Sequence, residues 1–196
     1  MSYTLNVMNT DRFKRKLLII SGPSGVGKGT VIKQLIQQLD CVDIAISATT
    51  RLPRNGEVDG VDYYFYTQQV FDKKVQNGDF IEYCNVHGNH YGTLNSEISR
   101  INSTGKICVL EIDTQGAKKI KKALSDAHLI FLKPPSIQEL QRRLEKRGSE
   151  TNSDLRYRLD NAVNELNESK LYDFVLINDN INVTVKRITD FISEII

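Results

Sequence analysis

The chain alternates short apolar runs with stretches in which apolar residues recur at helical spacing. The apolar runs predict buried strands at Leu17 to Ile20, Val42 to Ala48, Lys106 to Asp113, His128 to Leu132 and Phe174 to Ile177. The helical stretches predict helices at Lys28 to Leu39, at Ser153 to Lys170 and from Ile181 to the end. They also predict one helix that follows Asp113 and ends at Leu124, and another that follows Ser136 and ends at Arg147. Strands that alternate with helices favour a parallel five-stranded α/β sheet with helices on both faces.

A different pattern separates the second of these strands from the third. Between Arg51 and Asn95 glycines, aromatic residues and charges mix, which predicts a small lobe of short strands. Within it we predict a helix at Thr67 to Gln76, a strand at Phe80 to Tyr83 and a turn at His87 to Thr93; a helix at Leu94 to Asn102 follows. The predicted division is a tail at 1–15, a core at 16–50 and 96–196, and the lobe at about 51–95.

The first strand leads directly into the glycine-rich segment Ser21-Gly-Pro-Ser-Gly-Val-Gly-Lys-Gly-Thr30, and a helix follows. Glycines let successive backbone N–H groups converge, and the helix adds its positive N-terminal end. Strand, loop and helix together predict a nest for nucleotide phosphates, with Lys28 on the outer ones. The common pattern has Ser or Thr directly after the lysine, but here Gly29 stands there and Thr30 comes one later.

Composition and charge exclude several classes of protein. The formal net charge of +2 among 196 residues is too small to argue for nucleic acid or a membrane surface. No stretch approaches transmembrane length, and the apolar run after Lys16 is too short for a signal peptide. Cys41, Cys84 and Cys108 lack metal-like spacing, so we predict buried, reduced thiols and a cytoplasmic protein.

A second anion site is predicted where the second strand ends. Ligands bind outside the C-terminal ends of parallel strands, and Arg51 and Arg54 follow such an end. Their planar guanidinium groups suit a phosphate, although a solvated turn with two surface arginines would carry the same residues. Tyr63 and Tyr91 could donate hydroxyls to that phosphate or could simply pack.

Glu82 is a carboxylate within an apolar strand, where an unpaired charge is costly, so it needs an arginine or the N–H donors of a ligand. Further along, basic residues flank a glycine-containing loop between Arg142 and Arg158. They form either an exposed helix face or a lid over a transferring phosphoryl group, at about 143–158.

The sequence resembles the guanylate kinases from about Lys16 to the C-terminus, with the family's motifs in the same order. These motifs are Gly22-Pro-Ser-Gly-Val-Gly-Lys, Ser47-x-Thr-Thr-Arg-x-Pro-Arg54, Gly56-Glu-Val-x-Gly60, Asp62-Tyr63, Phe80-Ile-Glu82, Tyr91-Gly-Thr93, Ile112-Asp-x-Gln-Gly116, Arg143-Leu-x-x-Arg147-Gly, Arg158-Leu and Ile177-Asn178-Asp179. The resemblance implies a P-loop NTPase-type parallel sheet, a mixed β lobe that binds GMP, and an arginine-rich lid.

The resemblance also implies roles for individual residues. ATP would contact Gly22, Pro23, Ser24, Gly25, Val26, Gly27, Lys28, Gly29, Thr30 and, through its adenine, Asn178. GMP would contact Ser47, Arg51, Arg54, Tyr63, Glu82, Tyr91, Thr93 and Asp113. The catalytic residues would be Lys28, Arg51, Arg143, Arg147 and Arg158. The Mg²⁺ that accompanies ATP would be held by phosphates and water. The Thr30 hydroxyl is the alternative ligand, either directly or through a water molecule.

The implied reaction is transfer of the γ-phosphoryl group of ATP to GMP in guanine nucleotide synthesis and recycling. The alternatives are a kinase for another monophosphate or a sugar phosphate, and a non-catalytic guanylate-kinase-like module that binds proteins. A small GTPase is disfavoured because the N-K-x-D motif is missing. The sequence leaves open the use of dGMP and the choice between monomer and homodimer.

Overall fold

The computed structural model describes residues 17–86, 88–146 and 152–195. The predicted tail, Arg147 and part of the predicted lid lie outside these residues. The strands of the described part are β1 (Leu17–Ser21), β2 (Val42–Ile44), β3 (Ser47–Thr49), β4 (Tyr64–Phe65), β5 (Phe80–Val86), β6 (Asn89–Leu94), β7 (Ile107–Glu111), β8 (His128–Lys133) and β9 (Phe174–Ile177). Its helices are α1 (Lys28–Gln38), α2 (Gln68–Gln76), α3 (Asn95–Ser103), α4 (Thr114–Ala123), α5 (Ile137–Glu145), α6 (Asn152–Asn167) and α7 (Ile181–Ile195).

The larger sheet is parallel throughout and has the strand order β2-β7-β1-β8-β9. β1 lies at its centre, with Ile19 opposite Leu110 on one side and Leu129 on the other. Its side chains alternate between two buried clusters, one packed by α3 and α4 and the other by α1 and α7. The predicted five-stranded α/β sheet with helices on both faces is confirmed.

The smaller sheet is mixed and has the order β4-β3-β6-β5. β3 runs parallel to β4 but antiparallel to β6, and β5 is antiparallel to β6. Its own core is aromatic: Phe71 of α2 stacks on Phe80 at 4.4 Å between ring centroids. The lobe of short strands is therefore confirmed as a second, mixed sheet.

The single strand predicted over Val42 to Ala48 is wrong, because the chain changes sheets within it. Ala45 still donates its N–H to Val109 of the larger sheet, at 3.0 Å. The N–H of Ile46 is then taken by the Glu97 side chain at 2.9 Å, and Ser47–Thr49 pairs with β4 and β6. The apolar pattern is continuous across this crossing, so the change of partner leaves no mark in it.

The turn predicted over His87 to Thr93 is also wrong, since most of it is strand β6 (Asn89–Leu94). Its glycines and polar residues suggested a loop, but its backbone finds ladder partners on both sides, in β3 and β5. The turn itself is short and includes Gly88, whose φ of 80° favours glycine. Tertiary pairing overrides the local turn propensity here.

The prediction that all three cysteines are buried holds only in part. Cys108 is buried in β7 and Cys84 is half-buried, but Cys41 is exposed. Cys41 lies in the turn before β2, where its carbonyl accepts the N–H of Ile107 at 2.8 Å. The backbone of Cys41 thus bonds to the sheet while its side chain lies in solvent. Among the described helices, none combines the length and the apolar character needed to cross a membrane.

Candidate nucleotide site

The glycine-rich segment forms a tight loop between β1 and α1. Gly27 precedes α1 with a φ of 100°, and Val26 donates its N–H to the Pro23 carbonyl at 3.1 Å. A Cβ on Gly22 would collide with the carbonyl oxygen of Leu132 in β8, so the loop packs directly on the sheet. Lys28 donates from Nζ to the Gly22 carbonyl at 2.6 Å, which places a positive charge beside the loop.

The back of this loop is braced by side chains from distant segments. Asn178, only 6% exposed, donates from Nδ2 to the Val26 carbonyl at 2.8 Å. Arg143 donates from Nη1 to the carbonyls of Val26 and Asn178, at 3.2 Å each. Glu139 in turn accepts from Nε of Arg143 at 2.8 Å. In this structure Asn178 and Arg143 therefore hold the loop backbone, and their predicted roles toward ATP stay predictions.

Helix α6 approaches the front of the loop. Arg158 donates from Nη1 to the Ser24 hydroxyl at 3.1 Å, so this predicted lid arginine does lie at the loop. Glu165 follows on the same helix, and burial raises its pKa to about 7, with Lys28 acting in the opposite direction. Neither Glu139 nor Glu165 is among the residues predicted from the sequence for this site. Glu139 was detectable, because it completes a Ser-x-x-Glu capping pattern with Ser136, whose hydroxyl accepts its N–H at 3.0 Å.

The predicted phosphate-binding residues of the lobe come together only in part. Arg51 pairs with both carboxylate oxygens of Glu57, at 2.9 and 2.8 Å. Its guanidinium lies 5.5 Å from the centroid of the Tyr63 ring, and that ring meets the Tyr91 ring at 6.1 Å. Arg54 is exposed and is tied to this cluster by its backbone N–H, which Glu57 accepts at 2.6 Å.

Glu82 and Thr93 form a buried polar pair between β5 and β6. Glu82 is 5% exposed and Thr93 1%, and the Thr93 hydroxyl donates to Oε1 of Glu82 at 2.9 Å. Burial raises the pKa of Glu82 to about 7, although the hydrogen bond from Thr93 acts against this. Ser47 of β3 lies opposite Thr93 in the ladder. The three residues predicted to read guanine are thus neighbours.

An extra residue in β5 aims Glu82. Phe80 lies opposite Leu94 and Glu82 opposite Thr93, so two residues of β5 match one of β6. As a result Phe80 and Tyr83 both pack on Phe71 of α2, whereas the Glu82 carboxylate points the other way, at α4. Such a β-bulge is a usual device for turning a side chain toward a site.

Asp113 lies where this carboxylate meets the first turn of α4. It caps the helix by accepting the N–H of Gly116 at Oδ1, at 2.8 Å. Its Oδ2 accepts from the thiol of Cys84 at 3.7 Å, and the negative charge of Asp113 contributes to the raised pKa of Glu82. Asp113 therefore lies beside the residues predicted to read guanine.

The candidate metal position at the start of α1 is sparse. Gly29 and Thr30 are exposed, and a Cβ built on Gly29 would lie 3.4 Å from Oε2 of Glu111 at the end of β7. Within the described ranges, no three His, Cys, Asp or Glu side chains cluster so as to hold a metal by themselves. A metal here would have to draw on ligands other than a protein cage.

Comparisons with known proteins agree with this geometry. Residues 14–195 match the sequence model of the family described as guanylate kinase. A guanylate kinase of Clostridium perfringens is 47% identical over 172 residues, 88% of this chain and 80% of that protein. One of Thermotoga maritima is 41% identical, covering 91% and 86%. The crystal structure of a guanylate kinase from Anaplasma phagocytophilum aligns with a TM-score of 0.74 at 32% identity, covering 91% of this chain and 85% of that one. The chain belongs to the guanylate kinase family.

Proposed function

We propose that this protein transfers the γ-phosphoryl group of ATP to GMP, giving ADP and GDP, in guanine nucleotide synthesis and recycling. The observation that carries the proposal is Glu82, a carboxylate buried to 5% exposure whose closest described partner is the neutral hydroxyl of Thr93. A charge so placed is costly without further donors. A guanine base supplies them. Relatives named guanylate kinase, 41 to 47% identical, support the same reading.

Guanine matches Glu82 because it offers two adjacent donors, N1–H and the N2 amino group. One carboxylate accepts both, and adenine presents no such pair on that edge. Thr93 and Ser47, its neighbour in the ladder, would complete the contacts to the base. The phosphate of GMP would be bound by Arg51, Arg54, Tyr63 and Tyr91, and Asp113 would orient the nucleotide or the arginines.

ATP would enter from the glycine-rich loop, with its phosphates on the backbone N–H groups from Gly22 to Thr30. Lys28, now against the Gly22 carbonyl, would turn to the outer phosphates. Arg158, which contacts Ser24 of the loop, and Arg147 would supply positive charge over the transferring group. Arg143 and Asn178, in their described positions, would serve by holding the loop, and Asn178 would flank the adenine.

The chemistry asks little covalent work of the protein. A phosphate oxygen of GMP attacks the γ-phosphorus while the bond to the oxygen bridging to the β-phosphate breaks, and ADP leaves. That oxygen is already anionic, so we assign no general base. Alignment of the two nucleotides and positive charge around the three equatorial oxygens would account for the acceleration.

Mg²⁺ with ATP fits the site through its oxygen chemistry. It favours phosphate oxygens and water, with one or two carboxylates. Glu111, whose carboxylate faces position 29, is available through water, whereas Thr30 is one residue further along the helix and about 100° around it. Bound there, the ion would neutralise phosphate charge. We place the reaction in the cytoplasm.

A coupled assay of ADP formation with a panel of acceptors tests the proposal. We expect rapid turnover with GMP and none above background with AMP, dTMP or ribose bisphosphate; dGMP tests the ribose contacts. Preference for another acceptor would identify a different kinase of the same fold. GMP binding without ADP formation would indicate a non-catalytic module.

A further inference from the structure

We propose that Gly116 is a positioning residue for guanine recognition, because its missing side chain leaves the space that the Glu82 carboxylate occupies. This inference rests on the function proposed above and adds a specificity-determining position to it. Gly116 would touch neither nucleotide. It would act through Glu82 alone.

The geometry of the first turn of α4 leads to this proposal. Gly116 is buried, and a Cβ built on it would lie 2.9 Å from Oε2 of Glu82. The same Cβ would lie 3.4 Å from Oδ1 of Asp113 and 3.4 Å from Cδ1 of Ile112. A contact of 2.9 Å is too close for a carbon and a carboxylate oxygen, so one of them has to move.

The backbone does not require glycine at this position. Gly116 does not have a positive φ, and it lies inside the regular helix α4. Alanine suits such a position better than glycine, because it lowers the conformational entropy of the unfolded chain. The reason for glycine is therefore the space beside it.

The Glu82 carboxylate has little freedom to give way. Its Oε1 accepts the Thr93 hydroxyl at 2.9 Å, and the residue is 5% exposed. The oxygen that a methyl group would displace is Oε2, whereas the Thr93 hydroxyl donates to Oε1. Since guanine needs both oxygens side by side, displacing Oε2 would disrupt the paired hydrogen bonds that distinguish guanine. The helix itself would remain.

The test compares Gly116→Ala with Ala117→Gly, a neighbour whose side chain is fully buried in the core beneath α4. We expect Gly116→Ala to raise the dissociation constant for GMP about tenfold to a hundredfold, the loss of about one charge-assisted hydrogen bond. Its ADP affinity and its melting temperature should stay near those of the wild type. Ala117→Gly should do the reverse, lowering the melting temperature with GMP affinity unchanged. Calorimetric titration measures the GMP and ADP affinities of the two variants, and thermal unfolding measures their melting temperatures.

Gly116→Ala made in a Glu82→Asp variant shows whether the loss of GMP affinity is caused through Glu82. Glu82→Asp draws the carboxylate back by one methylene, so adding Gly116→Ala there should cost much less than in the wild type. GMP affinity within twofold of wild type in Gly116→Ala would overturn the inference while leaving the proposed function intact. An equal cost in both backgrounds would also overturn it. Failure of the wild type to bind GMP would instead overturn the function.

Discussion

Two buried glutamates in this protein, Glu82 and Glu97, have opposite surroundings. Both are nearly inaccessible, at 5% and 3% exposure. Glu97 accepts the Ile46 N–H at 2.9 Å, the Tyr64 hydroxyl at 3.0 Å and two guanidinium bonds from Arg100 at 3.0 and 2.9 Å. Burial alone would raise the pKa of Glu97, but these donors outweigh it and the pKa is lowered. Glu82 has the Thr93 hydroxyl, and its pKa rises to about 7.

The difference separates a structural charge, Glu97, from a charge that the proposed function assigns to a ligand, Glu82. Glu97 holds α3 against the point where the chain passes from the larger sheet to the smaller one, and its lone pairs are used within the protein. Glu82 keeps its carboxylate buried; within the part of the chain that the structure describes it accepts the Thr93 hydroxyl, and Lys119 acts on it through charge alone. Such an incomplete arrangement is tolerated where the missing donors arrive with a substrate. The following predictions test this contrast.

The largest effect is expected from Glu82→Gln. Replacing the carboxylate by an amide removes the charge and turns one acceptor into a donor that opposes the guanine N–H groups. We expect kcat/KM for GMP to fall about a thousandfold, from two charge-assisted hydrogen bonds of about 2 kcal/mol each. The free energy of unfolding at neutral pH should not fall, since a buried charge is removed. Turnover of GMP within tenfold of wild type would remove the basis of the contrast.

Glu97→Ala should give the converse result, a loss of stability. Arg100 is half in solvent, so the cost arises mainly from the Ile46 N–H and the Tyr64 hydroxyl, which lose their acceptor. We expect about 2 to 3 kcal/mol of lost unfolding free energy by urea denaturation. Tyr64→Phe, which removes one hydroxyl from the same carboxylate, should cost about 1 kcal/mol. Equal stability of Glu97→Ala and the wild type would contradict the structural role.

The affinity for GMP should depend on pH through the protonation of Glu82. Protonated Glu82 cannot accept both guanine donors, so GMP affinity should fall about tenfold from pH 8 to pH 6. Asp113 and Lys119 face Glu82 and shift this midpoint in opposite directions, Asp113 upward and Lys119 downward. Binding of ADP at the loop, which bypasses Glu82, measures the dependence caused by phosphate ionisation alone. Identical pH profiles for the two nucleotides would argue against titration of Glu82.

Without ligand, Glu82 and Glu97 should change the stability of the protein with pH in opposite directions. The raised pKa of Glu82 gives a contribution that is full below its ordinary value of 4.5 and lost as pH rises through about 7. The lowered pKa of Glu97 gives a contribution that is present above 4.5 and lost as pH falls through the folded value. The free energy of unfolding of Glu82→Gln, of Glu97→Gln and of the wild type, measured across this pH range, would separate the two contributions.

The smallest effect is expected from Thr30→Val, which removes the hydroxyl next to position 29, where the common pattern has Ser or Thr. If phosphates, water and Glu111 suffice for the ion, the magnesium concentration for half-maximal activity should change by less than about threefold. Glu111→Gln serves as the contrasting variant and should raise this concentration more. A large rise in Thr30→Val would assign the ligand to Thr30.

Much of the larger sheet was predictable because its central strands β1, β7 and β8 are buried on both faces and have continuous apolar sequences. The glycine-rich loop was equally clear, since a strand before and a helix after it leave few alternatives. The change of sheets between Ala45 and Ser47 was not predictable. It depends on Glu97, a residue about fifty positions away whose own burial follows from the fold.

The site was predictable in its residue types but less so in their contacts. Arg143 and Asn178 were expected at ATP, yet their side chains bond to the carbonyl of Val26, a contact that no spacing in the sequence encodes. Glu82 stood out because a carboxylate in an apolar strand lacks a local explanation. Its proximity to Gly116 required the packing of α4 against β5.

The extra residue in β5 makes the direction of Glu82, and with it the proposed recognition of guanine, depend on strand register as well as on residue identity. If a slip of the strand absorbed the extra residue, with Ile81 opposite Thr93 and Glu82 opposite Gly92, every position of β5 after Phe80 would exchange faces. Glu82 would remain in the sequence but would turn toward the aromatic core around Phe71. Two relatives with the same residues in these strands could therefore differ in substrate if the strands pair in different registers. The pairing register of this hairpin is therefore as informative about specificity as the residues in it.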